Sequence, residues 1–281
     1  MARSLRGHDL VLFAAGLTFY AAIAVVPLLL LAVYLAGLAL GEETVSRLGR
    51  ELAEYAPENL GLAASLRSLA DVGPRLGIAA LLAALIPATT YGEGLARTFD
   101  GLADRTQGRA RGLRGRLRSL VLLAALPPVV MVGMLGVTVL PDLLGFGTGA
   151  RLLGVYATFW LGWISSSALL AVIYRAFTPA GLSARALFWG SASTGSFLTG
   201  MSLGWVLFLD FDVAIGRAYG GSTQIATAVL AAVYLFLVQI VLLTGYVLTL
   251  RLDERAGHPF AAPVTVAGTH PVPEQAVPHP I

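Results

Sequence analysis

The sequence contains no cysteine and no lysine, and its four histidines lie near the two ends of the chain. Without cysteine, disulfide bonds, thiolate metal ligands and cysteine nucleophiles are excluded. Because the histidines fall outside every long apolar segment, a histidine proton relay within a membrane is excluded as well. All 19 basic residues are therefore arginines. The histidines are His8, His258, His270 and His279.

Charged residues are scarce, at 12% of the 281 residues, whereas a soluble domain typically has ~25%. Since 57% of the residues are hydrophobic, most of a water-facing surface would be apolar. The composition therefore predicts an all-α membrane protein, in which helices of ~20 apolar residues cross the hydrocarbon. We expect one transmembrane domain of residues 1–256 with six spans, at about residues 10–40, 76–96, 117–140, 152–173, 186–209 and 222–250.

The first apolar segment has a second interpretation, a cleavable signal peptide. Its uncharged stretch after Asp9 is far longer than the roughly 7–15 residues of a signal peptide's apolar region. The sequence therefore favours a retained span. Because this span exceeds the bilayer thickness, we expect it to tilt or to kink at Pro27.

The arginines are divided unequally between the loops. With six spans both termini lie on one side, and thirteen arginines fall on that side against six on the other. Arginine-rich loops stay in the cytoplasm, so the sequence predicts cytoplasmic N- and C-termini. Residues 257–281 hold six of the 14 prolines, which predicts a disordered tail.

The loop of residues 41–74 is the largest piece predicted on the extracytoplasmic side. Apolar residues recur in it at helical spacing on both sides of Pro57, with glutamates on the other faces. This pattern predicts two short amphipathic helices lying on the membrane surface. The pair either covers the mouth of a cavity or only packs against the bundle.

Small residues recur every four positions in the fifth predicted span. Such spacing lets two helix backbones approach closely in lipid, so helix packing is the favoured interpretation. A smooth wall along a substrate path is the alternative. The residues concerned are Ser191, Gly195, Thr199, Gly200 and Gly204.

Few ionisable or amide side chains interrupt the spans. Glu93 is the only acidic residue well inside one, and it precedes Arg97 by four residues, the favourable helical order for an ion pair. Either this pair extends to water at the interface, or Glu93 faces a cavity. Gln239, near the middle of the last span, either hydrogen-bonds to a neighbouring helix or lines a polar passage.

A substrate path through the bundle would need polar side chains and freed backbone carbonyls along it. A proline inside a helix removes one backbone hydrogen bond, and the carbonyl it frees is tolerated only beside protein or water. The predicted kink positions are Pro27, Pro87, Pro127 and Pro128. The candidate path residues are Tyr20, Glu93, Arg97, Tyr234 and Gln239.

Six arginines fall within 14 residues between the second and third predicted spans. Nucleic-acid binding is one interpretation, but the run lacks interleaved aromatic residues and adjoins a span. A cytoplasmic loop in contact with anionic lipid headgroups is favoured, and no nucleic-acid partner is expected. The run consists of Arg105, Arg109, Arg111, Arg114, Arg116 and Arg118.

The sequence has no motif typical of an enzyme. The phosphate-binding pattern GxxxxGK[ST] and the metalloprotease pattern HExxH are absent, and there is no GxSxG nucleophile elbow, because the one match to GxSxG, at residues 200–204, lies inside an apolar span and not at a strand-to-helix turn. No cluster of histidine, aspartate and glutamate has the spacing of a metal site. We therefore expect neither a catalytic residue, nor a metal, nor a cofactor.

The first and last spans carry a more specific pattern. The first reads LTFYAAIAVVPLLLL, with Phe19, Tyr20 and Pro27, and the last region reads YGG and then VYLFLVQIVLLTGYVL. With these residues the chain resembles the YihY/virulence factor BrkB family of bacterial inner-membrane proteins, once labelled ribonuclease BN. The resemblance extends over about residues 9–253. It departs at Ala24, where serine is usual, and at Tyr246–Val247, where the family has Ala-Glu.

The resemblance implies six spans in a bacterial inner membrane and a role in the cell envelope. Its links to serum resistance lead us to expect a transporter-like or lipid-handling protein. The alternative is a structural or regulatory protein that binds partners through the 41–74 loop or the arginine-rich loop. The ribonuclease label has no support in the residues, and the sequence leaves substrate and oligomeric state open.

Overall fold

The computed structural model describes residues 9–54, 62–103, 120–121, 124–129, 132, 148–178, 182–210 and 219–256. All regular structure in these residues is helical, which confirms the predicted all-α class. A 3-10 turn, Gly73–Arg75, follows the third helix. The helices longer than ten residues are α1 Leu10–Leu40, α2 Glu42–Glu54, α3 Leu62–Val72, α4 Ile78–Leu102, α5 Thr148–Phe177, α6 Ala184–Asp210 and α7 Thr223–Arg255.

Five of these helices, namely α1, α4, α5, α6 and α7, are long and apolar enough to cross a membrane. They overlap five of the six predicted spans. Most of the remaining predicted span, the third one at residues 117–140, lies outside the described residues. The whole arginine run and the tail 257–281 lie outside them as well. Helix α4 continues to Leu102, past the predicted end at residue 96. It does so because the Glu93–Arg97 ion pair lies along the helix, so that Arg97 does not interrupt it.

Helix α1 has well-defined ends. The side chain of Asp9 accepts hydrogen bonds from the backbone N–H groups of Val11 and Leu12, both at 3.1 Å, and so caps the first turn. At the other end Gly41 has a φ of +90°, a conformation that favours glycine and stops the helix. The helix runs through Pro27 without ending there.

The long helices form one connected bundle. Helix α1 packs against α4 on one side and α7 on the other, and α6 lies between α5 and α7. Phe99, Tyr174, Phe177 and Tyr246 are fully buried where α4, α5 and α7 meet. The rings of Phe99 and Tyr246 stack in parallel with their centroids 3.9 Å apart. Many large apolar side chains on the outer faces of the bundle are exposed, as expected for helices surrounded by lipid.

Helices α2 and α3 fold back on each other beside the end of α1. The Ser46 hydroxyl donates to the carbonyl of Ala70 at 2.9 Å, and Arg50 pairs with Asp71 at 2.8 Å. The turn after α3 lies so close to α1 that a β-carbon on Gly73 would be 2.6 Å from Val33. Two helices thus form within the 41–74 loop. Their extracytoplasmic location stays a prediction.

The end of α7 is joined to the start of α6 through Asp253. This carboxylate is buried and accepts a hydrogen bond from the backbone N–H of Ser183 at 2.9 Å. Ser183 precedes α6, and its hydroxyl in turn accepts from the N–H of Ala186. A negative charge at this end also interacts favourably with the dipole of α6.

We expect Asp253→Ala to lower the free energy of unfolding by about 1–2 kcal/mol, because the partly buried N–H of Ser183 loses its acceptor. Titration with SDS in mixed micelles, followed by circular dichroism, measures this change. The matched control is Glu254→Ala, the next residue, whose exposed ion pair with Arg251 contributes only up to ~0.5 kcal/mol. Equal effects of the two substitutions would contradict a capping role for Asp253.

Candidate functional site

A cavity of about 430 Å³ lies between α5, α6 and α7 and is partly open to the surroundings. Among the described residues, its wall is mostly apolar, with six hydroxyl-bearing side chains and no charged one. Two residues of the partly described third predicted span, Val129 and Val132, complete it. The hydroxyls belong to Thr158, Ser165, Ser166, Thr199, Ser202 and Tyr234.

The hydroxyl of Tyr234 is held by a hydrogen bond across the cavity wall. Its oxygen is 2.8 Å from Oγ of Ser202. Ser202 itself donates to the carbonyl of Leu198 at 2.8 Å, so the phenol is the donor in the Ser202–Tyr234 pair. The indole of Trp205 packs against the phenol ring, with the two ring centroids 5.3 Å apart. The phenol oxygen therefore keeps its acceptor lone pairs for a ligand.

A second hydroxyl pair joins α5 and α6 at the same cavity. Ser166 Oγ lies 2.9 Å from Thr199 Oγ1, and Ser166 also donates to the carbonyl of Gly162. The cavity thus presents short, neutral hydrogen-bonding groups on an otherwise apolar surface. Such a surface suits a ligand that is apolar or neutral and carries a few hydrogen-bonding atoms.

The structure places the five predicted path residues in different parts of the bundle, and of the five only Tyr234 lines this cavity. Gln239 is 2% exposed, and its amide exchanges hydrogen bonds with the Tyr91 hydroxyl at 3.1 and 3.3 Å. This contact joins α7 to α4. It is the inter-helix hydrogen bond that the sequence offered as one of two interpretations.

The other three path candidates lie on the α1–α4 side of the bundle. Glu93 pairs with Arg97 at 2.5 Å, with the Glu93 side chain 18% exposed and that of Arg97 61% exposed. The ring of Tyr20 lies over Gly94, where a β-carbon would be 3.0 Å from its Cδ2. These residues can line the α5–α7 cavity only after a rearrangement, and their role in a path stays a prediction.

The predicted kink prolines are distributed over the helices. Pro27 lies within α1 and Pro87 within α4. In the short helical segment 124–129, Pro127 is buried and Pro128 is exposed. The Thr90 hydroxyl donates to the carbonyl of Pro87 at 2.6 Å, so a side chain takes part in the hydrogen bonding of the helix at that turn. Whether the carbonyls freed by the prolines face a path stays a prediction.

The small-residue stripe of α6 divides into two faces. Ser191 and Thr199 are buried, and Gly195 lies directly against Ser167 of α5. At Gly200 and Gly204, by contrast, an added β-carbon would meet no other atom of the described residues within 4 Å. The first three residues thus face the bundle, and the last two face outward.

Sequence reasoning missed four residues that organise these sites: Tyr91, Ser166, Ser202 and Asp253. Ser202 follows Thr199 by one helical turn, a spacing that could have placed both on one face. The partners of the other three are far away in sequence, and no local signal identifies them. Among the residues that the structure describes, no group of three or more histidine, aspartate or glutamate side chains could hold a metal ion.

Five long apolar helices, three of which border a partly open cavity, define the chain as a multi-pass helical membrane protein. The profile of the family described as virulence factor BrkB matches residues 1–264, and the chain therefore belongs to that family. This confirms the resemblance seen in the sequence. No curated protein and no solved structure matches the chain.

Proposed function

We propose that the protein handles a lipid or a small neutral solute within the bacterial inner membrane, through the cavity between α5, α6 and α7. The observation that carries this proposal is the set of hydroxyl groups, including the Ser202–Tyr234 pair, on an otherwise apolar cavity wall. The described wall of the cavity carries no charged side chain, which favours a neutral or apolar moiety, because a desolvated ion would find no counter-charge on that wall.

The proposal includes six spans and two cytoplasmic termini. The five long apolar helices and the uneven division of arginines support it. It treats the chain as a non-enzyme without cofactor, because none of the catalytic motifs considered above occurs in the structural context that it needs. On this view the former ribonuclease label describes no activity of this protein.

We expect Tyr234→Phe to slow lipid movement between leaflets roughly 2–10-fold, because the substitution removes one hydrogen-bonding group and keeps the ring. The assay uses proteoliposomes that contain a fluorescently labelled glucosylceramide, a lipid without a charged headgroup, with dithionite added outside to quench the label. The matched control is Tyr156→Phe, since Tyr156 is an exposed tyrosine of α5 outside the cavity. Its rate should equal that of the unmodified protein.

A cavity-filling variant gives an independent test of the same site. Ser165→Phe places a large side chain in the cavity wall, and we expect it to reduce the rate at least as much as Tyr234→Phe. If liposomes with and without the protein gave the same rate, the lipid proposal would be abandoned. If both variants transported at the full rate, the cavity would not be the path.

A second candidate function is partner binding through the α2–α3 pair. The observation that favours it is that the Ser46–Ala70 and Arg50–Asp71 contacts hold the two helices together as one folded unit. A photo-crosslinking residue at the exposed Ser68 position would then capture one partner in stoichiometric amount. Such a partner, combined with a transport rate of zero, would favour this function over the first.

A further inference from the structure

A separate groove of about 390 Å³ runs between α5 and α6, at the end where α5 stops and α6 begins. It shares no residue with the cavity of α5, α6 and α7. Its described wall is almost entirely apolar, and the indole of the lining residue Trp163 links the two helices by donating to the carbonyl of Ala192 at 2.7 Å. On α5 it is lined by Trp163, Ile164, Ser167, Ala168 and Ala171, and on α6 by Ala184, Leu187, Phe188, Ser191 and Ala192.

Two arginines lie close to this groove in the helices that line it, one near the end of α5 and one near the start of α6. Arg175 follows the lining residue Ala171 by four positions, and Arg185 precedes the lining residue Phe188 by three, so each lies on the groove face of its helix. Both arginines are exposed. Within the described part of the chain, neither guanidinium has an ion pair or a hydrogen bond.

Among the described residues, the acidic groups near this end of α6 already have partners of their own. Asp253 is the acidic group that contacts this end of α6, and its carboxylate is buried and already accepts the N–H of Ser183. The neighbouring Glu254 is paired with Arg251 at 2.8 Å. An anion beside the groove would therefore find two unoccupied guanidinium groups.

We propose that this groove and its two arginines bind one anionic phospholipid. An acyl chain would occupy the apolar groove, whose lining on α5 extends over nine residues, or roughly 12 Å. The lipid phosphate would lie between Arg175 and Arg185, because guanidinium groups recognise phosphate oxygens in bidentate geometry. This site depends only on the chain's being in a membrane and not on the proposed transport.

Native mass spectrometry of the detergent-solubilised protein, titrated with phosphatidylglycerol and with phosphatidylcholine, tests the site. We expect tighter binding of phosphatidylglycerol. The double variant Arg175→Gln/Arg185→Gln should bind it roughly 30-fold more weakly, since each arginine near an anionic headgroup contributes about fivefold in affinity. Its affinity for phosphatidylcholine should not change.

The matched control is the double variant Arg251→Gln/Arg255→Gln, which removes two positive charges from the end of α7, outside the groove. It should keep the affinity for phosphatidylglycerol. A second variant, Ala168→Phe, fills the groove and should weaken the binding of both lipids, and thermal unfolding verifies that each variant is folded. Equal binding of the two lipids by the unmodified protein, an equal loss in the control, or full binding by folded Ala168→Phe would each overturn the proposal.

Discussion

We expect Phe99→Ala to lower the free energy of unfolding by about 3 kcal/mol, the largest effect of any single truncation proposed for this protein. The Phe99 ring is fully buried and stacks on Tyr246 of α7 at 3.9 Å. It also contacts Tyr174 and Phe177 of α5, at centroid distances of 6.1 and 6.3 Å. Because α4 has few other contacts with α5 and α7, removing this ring opens a cavity where three helices meet.

The unfolding free energy is measured by SDS titration in mixed micelles, with tryptophan fluorescence and circular dichroism as two probes. The matched control is Phe197→Ala on α6, since that side chain is 67% exposed on the outer face. In lipid the control loses almost no protein contact, so its effect should stay within ~0.5 kcal/mol. A loss of less than about 1 kcal/mol for Phe99→Ala would show that the aromatic cluster does not hold α4 in the bundle.

The second large effect is expected at Gly195. An alanine at an exposed helix position usually stabilises a protein relative to glycine, by ~1 kcal/mol. At Gly195 we expect the opposite: the substitution by alanine should lower the free energy of unfolding by about 1–3 kcal/mol, because the added methyl group collides with α5. Its β-carbon would be 2.3 Å from Ser167 Oγ and 2.9 Å from the Ser167 backbone nitrogen, and the backbone cannot move aside as a side chain can.

Gly200→Ala is the matched control on the same helix, because no described atom lies within 4 Å of its added β-carbon. This variant should be neutral or more stable than the unmodified protein. The same SDS titration compares the two substitutions. If Gly195→Ala proved as stable as Gly200→Ala, this result would contradict the close approach of α5 and α6 at Ser167.

The Gly195 and Gly200 comparison also shows where sequence reasoning ends. Spacing by four residues places Ser191, Gly195 and Thr199 on one face of α6 and Gly200 and Gly204 on another. Periodicity alone gives no information on which face has a neighbour. That choice depends on where α5 and α7 lie, which is a property of contacts between residues far apart in the chain.

The all-α class and the positions of five apolar helices could be predicted because the bilayer imposes one simple rule. A helix crossing hydrocarbon must be long and apolar, and this requirement can be recognised in one continuous stretch of the sequence. The Glu93–Arg97 pair was also predictable, since its partners are one helical turn apart. The 31 residues of α1 were recognisable for the same reason.

The cavity residues could not be predicted in the same way. Tyr234 was named from the sequence as a path residue, but its partner Ser202 is 32 positions away, and Gln239 lies 148 positions from Tyr91. A hydrogen bond between residues so far apart in the chain produces no periodic pattern in the sequence. It is decided by which helices become neighbours, so it needs the three-dimensional arrangement.

The hydrogen bond from Ser183 to Asp253 has a consequence for biogenesis. A ribosome completes α6 some forty residues before it adds the aspartate that caps the α5–α6 turn. During synthesis the backbone N–H of Ser183 therefore lacks the Asp253 acceptor until the last turn of α7 has been made. Only then can the hydrogen bond between the two helix ends form. A stop codon after Ala256 would keep the Ser183–Asp253 hydrogen bond. A stop codon before Asp253 would remove it, and we expect the truncated protein to be degraded by quality-control proteases.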